Sequence, residues 1–270
     1  MAGSEHNRTA ARGGGEGAKG ARHGAVAPVA EPAPVARSAD GRPQAAAAAD
    51  LGRLMLWLSP AFPVGGYSYS HGLEWVVERG RIADGAALEG WIEDVLVHGA
   101  GRSDLIFFAE AWRALAAADT PRLRQVAQLA AAFAVSAERR LETLGQGTAF
   151  LAAVGSVWPH PALLTAFEAG ADVAYPVAVG ASTAAHGLPL AASAHAFLQA
   201  FAANLVSAGV RLVPLGQTDG LRVLARLEPL LPRLVAAALA ARLEDAGGAA
   251  ILVDIASMRH ETQYTRLFRS

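Results

Sequence analysis

Apolar side chains recur at helical spacing along most of the chain. Leu54, Trp57 and Leu58 lie three and four residues apart, and residues 91–96 repeat this spacing. Positions i, i+3 and i+4 share one face of a helix. Alternating apolar and polar runs of strand length are lacking, and the nearest candidate contains Pro176, which a central strand does not accommodate. We therefore predict an all-α fold, a single helical domain of about ten helices.

Helix ends are marked by proline and by short polar residues. Ser59-Pro60 ends the first helix, because a residue before proline avoids the helical conformation. Thr120 is expected to cap a helix that has Pro121 in its first turn. Thr218 or Asp219 is expected to cap a later helix.

The composition divides the chain into three segments. The first fifty residues contain no Phe, Trp, Tyr, Leu or Ile, so they cannot bury enough apolar surface to order themselves. A glycine pair at 247–248 breaks the chain before a polar, aromatic end. We predict a disordered arm at 1–48, a helical domain at 49–248 and an interaction tail at 249–270.

Charge and residue usage exclude several classes of function. Charged residues make up 17% of the chain and the net charge is −1, which predicts no nucleic-acid partner. Cysteine is absent, which excludes disulfides and thiolate zinc sites and is compatible with the cytoplasm, where we expect the protein. Lys19 is the only lysine, so Schiff-base and P-loop chemistry are excluded as well.

A long segment without charges raises the question of a membrane span. Residues 173–210 exceed the ~20 residues that a spanning helix needs. They also include Pro176, His186 and Pro189, with many small residues and little leucine or isoleucine. We therefore expect buried helices in close contact, and no membrane association.

The sequence offers little catalytic chemistry. The eight histidines form no H-x-x-x-H or H-E-x-x-H motif. Asp94 and His98 are four residues apart on one helix face, either as two ligands or as a surface pair. The alternative to a binding protein is therefore a small helical hydrolase or metal-dependent enzyme that uses this pair and a serine. We expect no enzyme, no metal site and no cofactor.

Two arginines stand among glutamates in the middle of the chain. Arg139 and Arg140 lie beside Glu138 and Glu142. We predict a solvated helix face here. The competing interpretation is an arginine finger that acts on a partner GTPase.

Four stretches carry a resemblance to a known family. They read "FPVGGYSYSHGLE", "YPVAVG", "NLVSAGVRLVPLGQTDGLRVL" and "DIASMRHETQYTRLFRS", in this order. From about Leu54 to Ser270 the chain resembles the UreF family of urease accessory proteins. The resemblance implies an all-helical homodimer that binds UreD (also called UreH), recruits the GTPase UreG and presents it to apo-urease for nickel insertion. It also implies a scaffold, with the C-terminal tail against UreD.

The residues of the tail fit an interface. Ile251, Ile255 and Met258 form a helical stripe, and aromatic residues, methionine and arginine are enriched as in binding hot spots. A tail folded onto its own domain is the alternative. The expected partner-binding residues are Ile255, Met258, Arg259, His260, Glu261, Tyr264, Arg266, Leu267 and Phe268.

A loop and a helix start complete the candidate site. The glycine pair at 65–66 permits unusual backbone conformations beside aromatic rings, which predicts either a partner-binding or passage-lining loop or a tight turn with buried rings. Its residues are Phe62, Pro63, Gly65, Gly66, Tyr67, Ser68, Tyr69, Ser70 and Glu74. Gln217, Thr218 and Asp219 cap a helix or face the GTPase. Transient nickel passage near Gly65-Gly66 stays a hypothesis.

Overall fold

The computed structural model describes residues 43–168 and 170–269. The α-helices of this part are α1 Gln44–Trp57, α2 Leu73–Glu78, α3 Gly85–His98, α4 Ala100–Ala116, α5 Thr120–Ala132, α6 Ala137–Val157, α7 Pro161–Ala166, α8 Tyr175–Ala185, α9 Leu190–Leu212, α10 Gln217–Leu227, α11 Leu231–Ala240 and α12 Ile251–His260. Short 3-10 helices lie at Gly66–Ser68, Glu228–Leu230 and Leu243–Asp245.

The predicted all-α class is confirmed. No β-strand occurs within 43–168 or 170–269, and ten of the helices there have ten residues or more. α1 begins at Gln44, inside the predicted disordered arm. The rest of that arm, residues 1–42, lies outside the described residues.

No predicted cap residue occupies the N-cap position itself, although Asp219 does make a capping contact. The residue before α5 is Asp119, whose side chain accepts a hydrogen bond from the Arg122 amide at 3.0 Å, and Thr120 is already helical. The residue before α10 is Gly216, and the Asp219 carboxylate accepts from its amide at 3.1 Å. In both cases several adjacent residues can cap, and the chain direction before the helix decides which one does.

The segment without charges forms the centre of the domain. α8 packs most extensively against α4, and a Cβ at Gly180 would lie 2.4 Å from the Phe108 carbonyl oxygen. A Cβ at Gly147 in α6 would lie 1.9 Å from the Val173 carbonyl oxygen, so only glycine permits these approaches. α9 alone, among the described helices, is long and apolar enough to cross a membrane, and it buries Phe197 and its neighbours in the core.

The last helix returns to the beginning of the domain. α12 packs against α2 and, less extensively, against α6. Gly72 has φ +74°, and a Cβ there would lie 2.6 Å from the Ser257 backbone nitrogen. Ala256 is fully buried. The C-terminal segment is therefore part of the domain's own packing, while other side chains of α12 face outward.

Candidate functional site

The loop between α1 and α2 is built around three residues with positive φ. Gly65 has φ +70°, Gly72 has φ +74° and His71, which is not a glycine, has φ +55°. The aromatic side chains of this loop differ in their exposure. Phe62 and Tyr69 are buried, whereas the side chain of Tyr67 points to solvent and the residue is 65% exposed.

The end of the chain lies directly on this loop. The Arg269 amide donates to the Ser68 carbonyl oxygen at 2.7 Å. The Arg211 guanidinium lies 4.4 Å from the centre of the Phe268 ring and donates to the Tyr67 carbonyl oxygen at 2.8 Å. Such a cation–π contact stabilises the position of the ring, in addition to the stabilisation that comes from burying it. The sequence predicted loop and tail as separate candidates, and the structure joins them.

Glu74 anchors the tail from α2. Its Oε1 accepts from the Leu267 amide at 2.7 Å, and its Oε2 accepts from the Phe268 amide at 2.9 Å. The same Oε2 lies 3.0 Å from Nε2 of His260. Glu74 is 6% exposed. A buried carboxylate requires such partners, because an unpaired one costs several kcal/mol.

Glu138 completes the arrangement from α6. Its Oε2 lies 2.7 Å from Nδ1 of His260, and its Oε1 accepts from Arg266 Nη1 at 2.7 Å. His260 is completely buried between the two carboxylates. We call Glu74, Glu138, His260 and Arg266 the tail latch, since they fasten the C-terminal segment to α2 and α6.

The prediction of a solvated face around Arg139 was wrong. Glu138 and Glu142 are 7% and 5% exposed, and Arg139 forms an ion pair with Glu142. These residues are spaced as on an exposed helix face, but the C-terminal tail and the loop before α2 cover that face of α6. Arg140 remains exposed.

A second polar cluster lies next to the tail latch. His71 Nε2 lies 3.0 Å from Glu142 Oε1, and Gln146 Nε2 donates to the same oxygen at 3.0 Å. Burial by itself would raise the pKa of Glu142, but Arg139 and then His71 lower it to about 2. Burial, and next the charge of Arg139, lower the pKa of His71. Glu142 is therefore ionised at all physiological pH values.

Asp104 on α4 borders this cluster. Burial raises the pKa of Asp104 to about 6, although the positive charge of Arg139 opposes the shift. His71, Asp104, Arg139 and Thr143 line both of two neighbouring cavities, one towards the loop and one towards α12. The loop-side cavity is also bordered by Gly66, Tyr67 and Tyr69.

Among the described residues, six large apolar side chains of the C-terminal segment face solvent. Tyr264 and Leu267 are 103% and 77% exposed, and Arg259 is exposed as well. We call the exposed apolar residues of this segment the tail face. They are Ile251, Leu252, Ile255, Met258, Tyr264 and Leu267.

The other predicted site residues are divided between surface and interior. Pro63, Gln217 and Thr218 are exposed, the latter two at the start of α10. Ser70 is completely buried, with its Oγ 3.4 Å from the Glu74 amide. Glu261 accepts from the Ala137 amide at 2.7 Å, at the N-terminus of α6.

Asp94 and His98 lie on the exposed side of α3. Within the described ranges, no group of three or more His, Cys, Asp or Glu side chains could hold a metal ion. Residues 180–184 read "GASTA", which comes close to the G-x-S-x-G motif of hydrolases, but Ser182 is buried inside α8, without the strand that a nucleophile elbow requires. Neither feature supports the enzyme interpretation.

Comparison with known proteins agrees with the sequence motifs. The family model described as UreF matches residues 82–228. A urease accessory protein UreF from Rhodopseudomonas palustris (strain BisB5) is 57% identical over 223 residues, which cover 82% of this chain and 92% of that protein. One from Bradyrhizobium sp. (strain BTAi1 / ATCC BAA-1182) is 52% identical over 218 residues, 81% of this chain and 91% of its own length. The chain therefore belongs to the UreF family of urease accessory proteins.

Proposed function

We propose that this protein is a scaffold of urease maturation and has no reaction centre of its own. In the cytoplasm, as a homodimer, it binds UreD/UreH and recruits the GTPase UreG to apo-urease, so that nickel is inserted into the urease active site. The observation that carries this proposal is the tail face, a set of exposed apolar side chains on a segment that the tail latch holds in place.

The chemistry of the tail face suits a protein partner. Aromatic residues, methionine and arginine are enriched at interfaces, and tyrosine and arginine are frequent hot spots, so Tyr264, Met258 and Arg259 have the composition of a binding surface. Fixing the segment before binding reduces the entropy lost on association. An apolar and aromatic segment that is held in place in this way can serve as a binding surface for another protein.

We assign two roles to the proposed contact residues, according to their exposure. Ile255, Met258, Tyr264, Leu267 and Tyr67 are exposed and can touch a partner. The buried ones act through position, because they hold the loop and the tail together: Phe62, Tyr69, Ser70, Glu74, His260 and Phe268.

The start of α10 is the proposed surface towards the GTPase. Gln217 and Thr218 are exposed there, and Leu221 on the next turn is 65% exposed. Arg139 is engaged with Glu142 and His71 and is not available as an arginine finger. Arg140 is the arginine of this pair that a partner could reach.

The loop-side cavity supports a second role for the loop, which we propose as passage of nickel. Gly66 borders this cavity, and a Cβ at Gly66 would lie 3.2 Å from Asn204 Nδ2. Gly66→Val would narrow the cavity, and we expect less nickel in urease from cells that carry it, with normal capture of partners. Normal nickel content in a folded Gly66→Val variant would contradict a passage at this loop.

The scaffold function is tested by complementation. In cells that lack this protein but express urease and its other accessory proteins, we expect the wild type to restore urease activity and nickel content. Tyr264→Ala combined with Leu267→Ala should restore little of either. Leu164→Ala removes a side chain of similar exposure from α7 and should restore both fully. Full restoration by the double variant would overturn the proposed role of the tail face.

A further inference from the structure

His260 lies between two carboxylates, and both of its ring nitrogens face an acceptor. Nδ1 is 2.7 Å from Glu138 Oε2 and Nε2 is 3.0 Å from Glu74 Oε2. A neutral imidazole has one N–H, whereas an ionised carboxylate only accepts hydrogen bonds. Both contacts are hydrogen bonds only if a proton is present in addition to that of the neutral ring.

The other partners place this proton on the imidazole. Glu74 also accepts from the amides of Leu267 and Phe268, and Glu138 also accepts from the Arg266 guanidinium. Donors of this kind favour the ionised form of a carboxylate. With His260 charged, the tail latch contains two negative and two positive groups. With His260 neutral, a buried site would keep one uncompensated negative charge and one carboxylate facing a lone pair.

We propose that the C-terminal tail is a proton-dependent clasp, which closes on Glu74 and Glu138 when His260 is an imidazolium and opens when His260 loses its proton. The closed tail binds one proton more than the open tail. Its closing equilibrium therefore weakens as the pH rises, by up to about tenfold per pH unit in the range where the two states differ. The regulatory consequence rests on the proposed function, since the closed tail is what presents Tyr264 and Leu267.

The charged groups of the tail latch around His260 come from three parts of the chain. Glu74 comes from α2, Glu138 from α6 and Arg266 from the tail itself. Beyond them lie His71, Arg139 and Glu142 of the second cluster. His71 and Asp104 can also respond to pH, so the test needs variants that silence His260 alone.

Two substitutions separate the clasp from other titrations. His260→Gln has no titratable proton: its amide nitrogen donates and its amide oxygen accepts at every pH, so it imitates the deprotonated ring. Glu138→Gln removes the need for a charged ring. Its amide nitrogen can donate to Nδ1 of His260 while its oxygen still accepts from Arg266, so a neutral imidazole satisfies both contacts. The first variant should leave the tail open, and the second should leave it closed, each independently of pH.

Hydrogen–deuterium exchange of the full chain measures the clasp directly. Exchange of residues 264–269 is compared at about pH 6 and about pH 9, after correction for intrinsic exchange rates. We expect the wild-type tail to lose protection at the higher pH by tenfold or more. His260→Gln should be weakly protected at both pH values and Glu138→Gln well protected at both. Circular dichroism and exchange in α9 verify that each chain is folded.

Several results would overturn the clasp. One is equal protection of the wild-type tail at both pH values; others are a wild-type-like pH response in His260→Gln or in Glu138→Gln. Failure of the proposed function would look different, because the tail would respond to pH as expected while purified UreD/UreH bound at neither pH. The two ideas therefore fall to separate measurements.

Discussion

At the scale of single residues, the sequence indicated several of the right residues but not how they are paired. Glu74, His260 and Arg266 stood in the motifs, yet Glu138 was assigned to a solvated face. Its partner His260 is 122 positions away, and local spacing cannot show which distant segment covers a helix face. Arg211, which covers Phe268, stood in another of the motifs, but nothing in the sequence indicated that it contacts the tail.

Asp104 gives a residue-scale prediction for pH dependence. Its pKa is about 6 in the folded chain and ~3.9 in an unfolded one, so the folded chain binds more protons between these values. Stability therefore falls as the pH rises through this range. Asp104→Asn removes that loss and should raise the free energy of unfolding at pH ~7 by on the order of 1 kcal/mol.

Urea denaturation of the wild type and of Asp104→Asn, from about pH 4 to about pH 7, checks this. The two proteins should be equally stable at the low end and separate as the pH increases. A constant difference at all pH values would mean that the carboxylate of Asp104 is not the cause.

At the scale of elements, periodicity predicted the helices well, because a buried face repeats every three to four residues whatever it packs against. Close helix contacts were harder to predict. Gly147 and Gly155 both lie in α6, but only Gly147 meets another backbone, that of Val173. The sequence does not distinguish the two glycines, because the contact at Gly147 depends on where residues 173–175 lead into α8.

These two glycines form a matched pair of substitutions. Gly147→Ala places a methyl group against the Val173 carbonyl, and we expect a loss of about 1–3 kcal/mol in unfolding free energy. Gly155→Ala meets nothing within 4 Å and should gain about 0.5–1 kcal/mol, as alanine stabilises helices. Thermal unfolding followed by circular dichroism measures both. Equal effects would contradict the close approach of α6 to residue 173.

Truncation separates the last helix from the tail. Removing everything after Gly248 deletes α12, whose Val253 and Ala256 are buried, so a marked loss of thermal stability is expected. Removing residues 264–270 keeps α12 and His260, and most of the stability should remain. Partner binding should be lost in both. A shorter truncation that still bound UreD/UreH normally would contradict a role of Tyr264 and Leu267.

At the scale of the whole molecule, the fold class followed from the periodicity, and the function from motifs that name a family. The physical basis that we propose for partner binding came only from the structure. Three separate parts of the chain meet at the tail latch, where Glu74 of α2 and Glu138 of α6 fix the C-terminal segment from the inside. We propose that the outward side chains of the same segment contact other proteins.

The most direct test of this account is the affinity of the purified chain for purified UreD/UreH, measured by calorimetry. Tyr264→Ala with Leu267→Ala should weaken the dissociation constant at least about tenfold, as expected for the loss of hot-spot side chains worth ~1–2 kcal/mol each. Leu164→Ala, on the exposed side of α7, should bind like the wild type. Unchanged affinity of the double variant would contradict the claim that the tail face is the surface through which this protein works.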